Sequence, residues 1–135
     1  MDILQASAAE ILAALRDGSL SAETLMAQTL DRIAATNGDV NAIVALRERD
    51  ELMAEARAAD AATGDRGPMH GFPIAVKDLV FTKGIRTTMG SPVFADFVPE
   101  TDDILAERLR AAGAILIGKT NVPEFGLGSH TFNPV

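Results

Sequence analysis

The chain contains no cysteine, no tryptophan and no tyrosine. Without cysteine, disulfides, thiolate nucleophiles and cysteine-based metal sites are excluded together. The same absence fits a reducing, cytoplasmic setting. Aromatic residues make up only 4% of the 135 residues, and all six are phenylalanine. A core must therefore rest on Leu, Ile, Val, Ala and those six rings. Positive charge is scarce as well. Twelve Lys and Arg face nineteen Asp and Glu, for a net charge of -7 and no basic stripe, which argues against a nucleic-acid partner. No apolar run approaches the roughly 20 residues that cross a bilayer. The opening Met1-Asp2-Ile3-Leu4-Gln5 lacks the basic region and apolar core of a secretory leader. The expectation is a cytoplasmic protein with no membrane partner. Only two histidines occur, His70 and His130, and neither has a partner at metal-ligand spacing. No metal and no cofactor are expected.

What is present points to one domain. The chain is 47% hydrophobic and long enough to bury a core. Residues 1–62 read as a layer of amphipathic helices. Ser7 and Glu10 have capping-box spacing ahead of Ile11, Leu12 and Leu15, and Gly18 is a natural stop. Ser21 reads as the next N-cap, with Leu25, Leu30 and Ile33 on one face and Asn37-Gly38 as the end. Asn41 to Leu46 is short, apolar and extended. A third helix is predicted over 47–62, rich in Ala, Glu and Arg. Residues 63–71 hold three glycines and a proline and read as a loop.

After that loop the pattern changes to α/β. Phe72 to Val76 reads as a buried strand with Pro73 near its start. Ile85 to Gly90 reads as another short strand. Thr101 or Asp102 would cap a helix through Ile104, Leu105, Leu109 and Ala112, stopped by Gly113. Ala114-Ile115-Leu116-Ile117-Gly118 reads as a fully buried strand. The strand–helix–strand order predicts an α/β core, with the first three helices packed on it.

The residue with most chemical potential is Lys77, at the end of the Phe72–Val76 run. A lysine delivered there by an apolar strand is either solvated through its stem or desolvated, and a desolvated lysine sheds its proton and serves as a general base. Open α/β sheets place ligands at such strand ends. Ser91 precedes Pro92 and lacks the Gly-x-Ser-x-Gly elbow, so it does not read as a nucleophile. Gly113 to Thr120 satisfies the letters of a phosphate loop. Its four middle residues are themselves the strand, and Pro123 sits where a helix should open, so nucleotide binding is rejected.

Three blocks in order, Gly71-Phe72-Pro73-Ile74-Ala75-Val76-Lys77-Asp78, Gly84 to Ser91, and Ala112 to Phe125, resemble the amidase signature enzymes. The resemblance is dense over residues 71–135. It implies an α/β fold with N-terminal helices on the start of a mixed sheet, residues 1–135 being the N-terminal part of a single domain. It implies hydrolysis of a small-molecule amide by a Ser–cis-Ser–Lys triad, without a cofactor. Lys77 matches the family's lysine, and Gly126 and Leu127 match a loop bordering the substrate pocket. The family's two serines fall beyond Val135, and neither Ser91 nor Ser129 matches them, so these 135 residues alone are expected to be inactive. A related alternative is the A subunit of a glutamyl-tRNA amidotransferase, which shares the blocks, although Val122 to Thr131 is more similar to a free-standing amidase. A third reading is a non-catalytic assembly module that covers its open sheet edges by pairing with itself or a second chain.

Overall fold

The computed structural model describes residues 3–64 and 66–135. Met1 and Asp2 of the N-terminal stretch and Asp65 of the 63–71 loop lie outside them. Helix α1 (Ala8–Asp17) begins where Ser7 and Glu10 cap each other. The Ser7 hydroxyl accepts the Glu10 N–H at 3.3 Å, and the Glu10 carboxylate accepts the Ser7 N–H at 2.7 Å. Gly18, at φ 80°, ends it in the left-handed region. Helix α2 (Ala22–Val40) opens at Ser21, whose hydroxyl accepts the Thr24 N–H at 3.0 Å. Its first turn receives a second cap from afar. Asp60 in helix α3 (Arg49–Ala61) accepts the Ala22 and Glu23 N–H groups at 2.7 and 3.0 Å.

The predicted stop at Asn37-Gly38 is not observed. The helix runs through Gly38 to Val40 and ends at Asn41, φ 47°. The Asn37 side chain serves the next element instead. It accepts from Ile43 N and donates to Ile43 O, both at 2.8 Å, and so folds strand β1 (Ile43–Leu46) back along the helix.

Strands β2 (Pro73–Lys77) and β3 (Ile115–Thr120) are parallel, and helix α4 (Ile104–Ala111) connects them. β1 joins β3 antiparallel on the other side, giving a mixed sheet in the order β1-β3-β2. Gly118 allows the β1 contact. A Cβ there would stand 2.2 Å from the Ala45 carbonyl oxygen. Ile85 to Gly90 forms turns rather than the predicted strand. Gly84 N and Thr87 N donate to Pro99 O and Phe97 O, at 3.1 and 2.9 Å, without forming a ladder.

Both faces of the sheet are covered. Ile115 and Ile117 pack with Leu15, Leu25, Met26, Leu52 and Ala56 of the helical layer. Leu116 and Val76 pack with Ile85 and Ala106 on the α4 side. Within α4 Ala106 is buried and Leu109 packs beside it, while Ile104 and Leu105 are 71% and 50% exposed. The capping position falls to Asp103. The Asp102 and Asp103 carboxylates reach back to accept Lys83 N and Phe81 N, both at 2.7 Å. Strand β3 is irregular at one point. Ile74 pairs with Leu116, but Ala75 pairs with Gly118, so Ile117 is an extra, bulged residue.

Candidate functional site

Lys77 closes β2, opposite Thr120 at the end of β3. The carboxyl ends of the two parallel strands therefore meet at one rim, where such sheets carry ligands. The chain turns sharply there. Val80 N donates to Lys77 O at 3.0 Å, and Asp78 N donates to Thr120 O at 3.0 Å. Of the two environments open to Lys77, the structure shows the solvated one: its side chain is exposed. The physical reason is its place on the sheet. Alternation puts Lys77 on the face of Ala75, and the helical layer covers Phe72 and Ala75 but not the rim beyond them.

Behind Lys77 lies a buried polar frame. Asp78 is 1% exposed. Its carboxylate accepts the Thr88 N–H at 3.0 Å and the Thr88 hydroxyl, and that hydroxyl oxygen accepts Gly90 N–H at 3.0 Å. This holds Met89 and Gly90 at positive φ, 53° and 67°. Met89 O then accepts Phe125 N–H at 2.8 Å. Gly126 packs on Leu79 so closely that a Cβ would stand 2.7 Å from its methyl group. The strand end with Lys77 and the 124–126 turn with Gly126 are thus parts of one connected cluster. Leu127 follows that turn and is 81% exposed.

Next to this frame is a polar cleft of about 250 Å³, lined by Asp78, Arg86, Thr88, Asn121 and Asn133 among others. Asn121 and Asn133 clasp each other across it, Asn133 Nδ2 donating to Asn121 Oδ1 at 2.7 Å. Ser91 is fully buried, and its hydroxyl oxygen makes no hydrogen bond. His70 bonds the Ala59 carbonyl through Nε2, and His130 stacks edge-on to Phe132, so neither joins the cluster.

The desolvated lysine of this fold is a different one. Lys119, in the rejected phosphate-loop segment, is 0% exposed. Burial pulls its pKa down to about 8, against the attraction of Asp78, Asp103 and Asp102. Strict alternation along Ile115, Ile117 and Lys119 would point this side chain into the helical layer. The bulge at Ile117 reverses that, and Lys119 shares a face with its β2 neighbour Val76. Its only sequence signal is a charge at the end of an apolar run.

A family profile described as Amidase matches residues 24–135. The chain belongs to the Amidase family. Among curated relatives, the glutamyl-tRNA(Gln) amidotransferase A subunit of Oleidesulfovibrio alaskensis is 45% identical over 123 residues, covering 90% of this chain. Among solved structures, the native peptide amidase of Stenotrophomonas maltophilia superposes with a TM-score of 0.82 at 33% identity over 92% of the chain. An inhibitor-bound complex connected with the origins of an s-triazine catabolic enzyme gives 0.85 at 35% identity over 96%. The amidase resemblance and the mixed α/β architecture expected from sequence are both borne out. The chain spans 25% of that curated relative's length, and 26% and 29% of those two structures.

Proposed function

We propose that Lys77 is the proton-accepting lysine of a Ser–cis-Ser–Lys centre that cleaves amide bonds, with both serines outside these 135 residues. One observation carries this reading. Lys77 is exposed at the rim where β2 and β3 end, joined by the Asp78–Thr88 frame to the turn bearing Gly126. In this mechanism the neutral amine takes a proton from the bridging serine. That serine takes one from the nucleophilic serine, which attacks the amide carbonyl; the C–N bond then breaks, the amine leaves with a proton returned through the relay, and water hydrolyses the acyl-enzyme to release the acid. A lysine accepts a proton only when neutral, and loss of water around it favours that form. The segment carrying the serines would supply that cover over Lys77. Gly126 and Leu127 would border the amide substrate.

A second reading is an amidotransferase A subunit, using a glutamine amide as its ammonia source. Two curated relatives with that name, 45% and 44% identical to this chain, favour it. The test is a fusion of this chain to the serine-bearing remainder of an amidase relative, assayed for ammonia release. Turnover is expected to fall roughly 10²–10⁴-fold in Lys77→Met, the usual range for loss of a positioned base. Undiminished turnover in that variant rejects the assignment. Release from glutamine, with simple amides inert, selects the amidotransferase reading.

A further inference from the structure

We propose that Lys119 is a positioning residue whose ammonium group pins the turn behind Lys77 and so sets where the Lys77 amine stands. The inference rests on the reading of Lys77 as the base.

Donors and acceptors decide the charge state of Lys119. Its Nζ bonds the Val80 carbonyl, the Thr82 hydroxyl at 2.9 Å and the Thr87 hydroxyl at 3.0 Å. Each threonine has already committed its own hydrogen. Thr82 Oγ1 donates to Val80 O at 3.0 Å, and Thr87 Oγ1 donates to Ile85 O at 2.9 Å. Both therefore turn lone pairs toward Nζ, so all three partners are acceptors. Only the protonated amine has three hydrogens to give. The geometry assigns a buried ammonium ion to this position. Among the described residues no carboxylate pairs with it within 4.0 Å, so neutral oxygens alone hold it.

The three acceptors are not scattered. Val80 closes the turn whose other end is the Lys77 carbonyl. Thr82 and Thr87 flank the next turn, closed by Ile85 N to Thr82 O at 3.0 Å. One side chain from the central strand thus grips the exit path from Lys77 at three points. The neighbouring residue of β3 grips it at a fourth, through Thr120 O and Asp78 N. A buried charge with no counter-ion in contact is costly for stability alone. A fork of three directed bonds fixes a loop in one conformation, which a base needs if it is to meet a serine hydroxyl within hydrogen-bonding range.

The chain's only lysines are Lys77, Lys83 and Lys119, so its lysine side-chain NMR signals are few and separable. The experiment compares the chain with Lys119→Met and with Thr87→Val, reading those signals together with amide hydrogen exchange. In both variants the Val80 and Thr88 amides are expected to exchange at least about tenfold faster, with Lys77 signals shifted and broadened. The Leu25 and Ile117 amides should keep their protection. Thr87→Val, which keeps the volume and removes one acceptor, should show the smaller effect, and it carries the test if Lys119→Met does not fold. Unchanged Lys77 signals and unchanged Val80 and Thr88 amides in the folded variants overturn the proposal. So does a loss of protection spread evenly over the chain, which marks a merely structural lysine. None of these readouts needs turnover. An intact pin with a dispensable Lys77 rejects the functional reading alone, and an essential Lys77 with no pin rejects this inference alone.

Discussion

Two buried charges at the rim, Lys119 and Asp78, have measurable consequences for stability. Lys119 titrates near 8 in the folded chain and near 10.5 unfolded. Below pH 8 it is charged in both states, and the full cost of burying the ion is present. Between pH 8 and 10.5 the unfolded chain holds the extra proton, so stability rises with pH by about 3 kcal/mol in all. Denaturant melts across that window should show the rise, and Lys119→Met should abolish it. Equal slopes in both proteins would show that another group is responsible. Asp78 gives the opposite case, a carboxylate wholly engaged by Thr88. In Asp78→Ala the buried Thr88 N–H loses its acceptor, at a cost of about 1–3 kcal/mol. Asp78→Asn keeps a carbonyl oxygen for that N–H and should lose less. Urea midpoints of the two variants decide it. Residue-scale reading of the sequence singled out Lys77, the exposed lysine, and passed over Lys119, the buried one. Burial of a lysine depends on which face it occupies, and the bulge at Ile117 moves that face by one residue.

At the scale of elements, caps and periodicity were legible because their physics is local. Ser7, Glu10, Gly18 and Ser21 act within one helical turn, and all four do what their spacing predicts. The misreadings have non-local causes. Asn37-Gly38 does not end α2, because Asn37 bonds Ile43 and the helix is carried past a glycine that costs only about 1 kcal/mol. Ile85 to Gly90 is not a strand, because the Thr87 and Thr88 N–H groups go to Phe97 O and the Asp78 carboxylate rather than to a neighbouring strand. The three-block pattern marked the residues of the candidate rim but not the bonds that tie one block to the next, Thr88 to Asp78 and Phe125 to Met89. Two substitutions test elements. Asp60→Ala removes the long-range cap on α2 and should cost about 1 kcal/mol, because the exposed Ser21 cap remains. Gly118→Ala drives a methyl into the Ala45 carbonyl and should cost about 3 kcal/mol or detach β1. Thermal melts rank them. An alanine at 118 as well tolerated as one at 60 would mean that β1 sits further from β3 than their close backbone contact requires.

At the scale of the whole molecule, apolar surface collects around the site. The 92–94 and 124–126 turns touch through Phe94 and Phe125, whose ring centres lie 6.1 Å apart. Val93 is 80% exposed, Phe125 45%, Leu127 81% and Phe132 81%. β2 pairs only with β3 among the described residues, so its other edge is open beside Lys77. Unpaired strand edges and clustered apolar side chains drive association in water. Longer relatives have further chain with which to cover such a face. As 135 residues, the molecule is expected to associate with itself, and light scattering across a dilution series should show its mass falling on dilution. Val93→Asp, on the outer side of the 92–94 turn, should shift that series toward monomer while leaving the melting temperature nearly unchanged, because the side chain is exposed. A chain that stays monomeric at every concentration and melts cooperatively would show that the rim is stable uncovered. That result would remove the physical reason for expecting a covering segment or partner over Lys77.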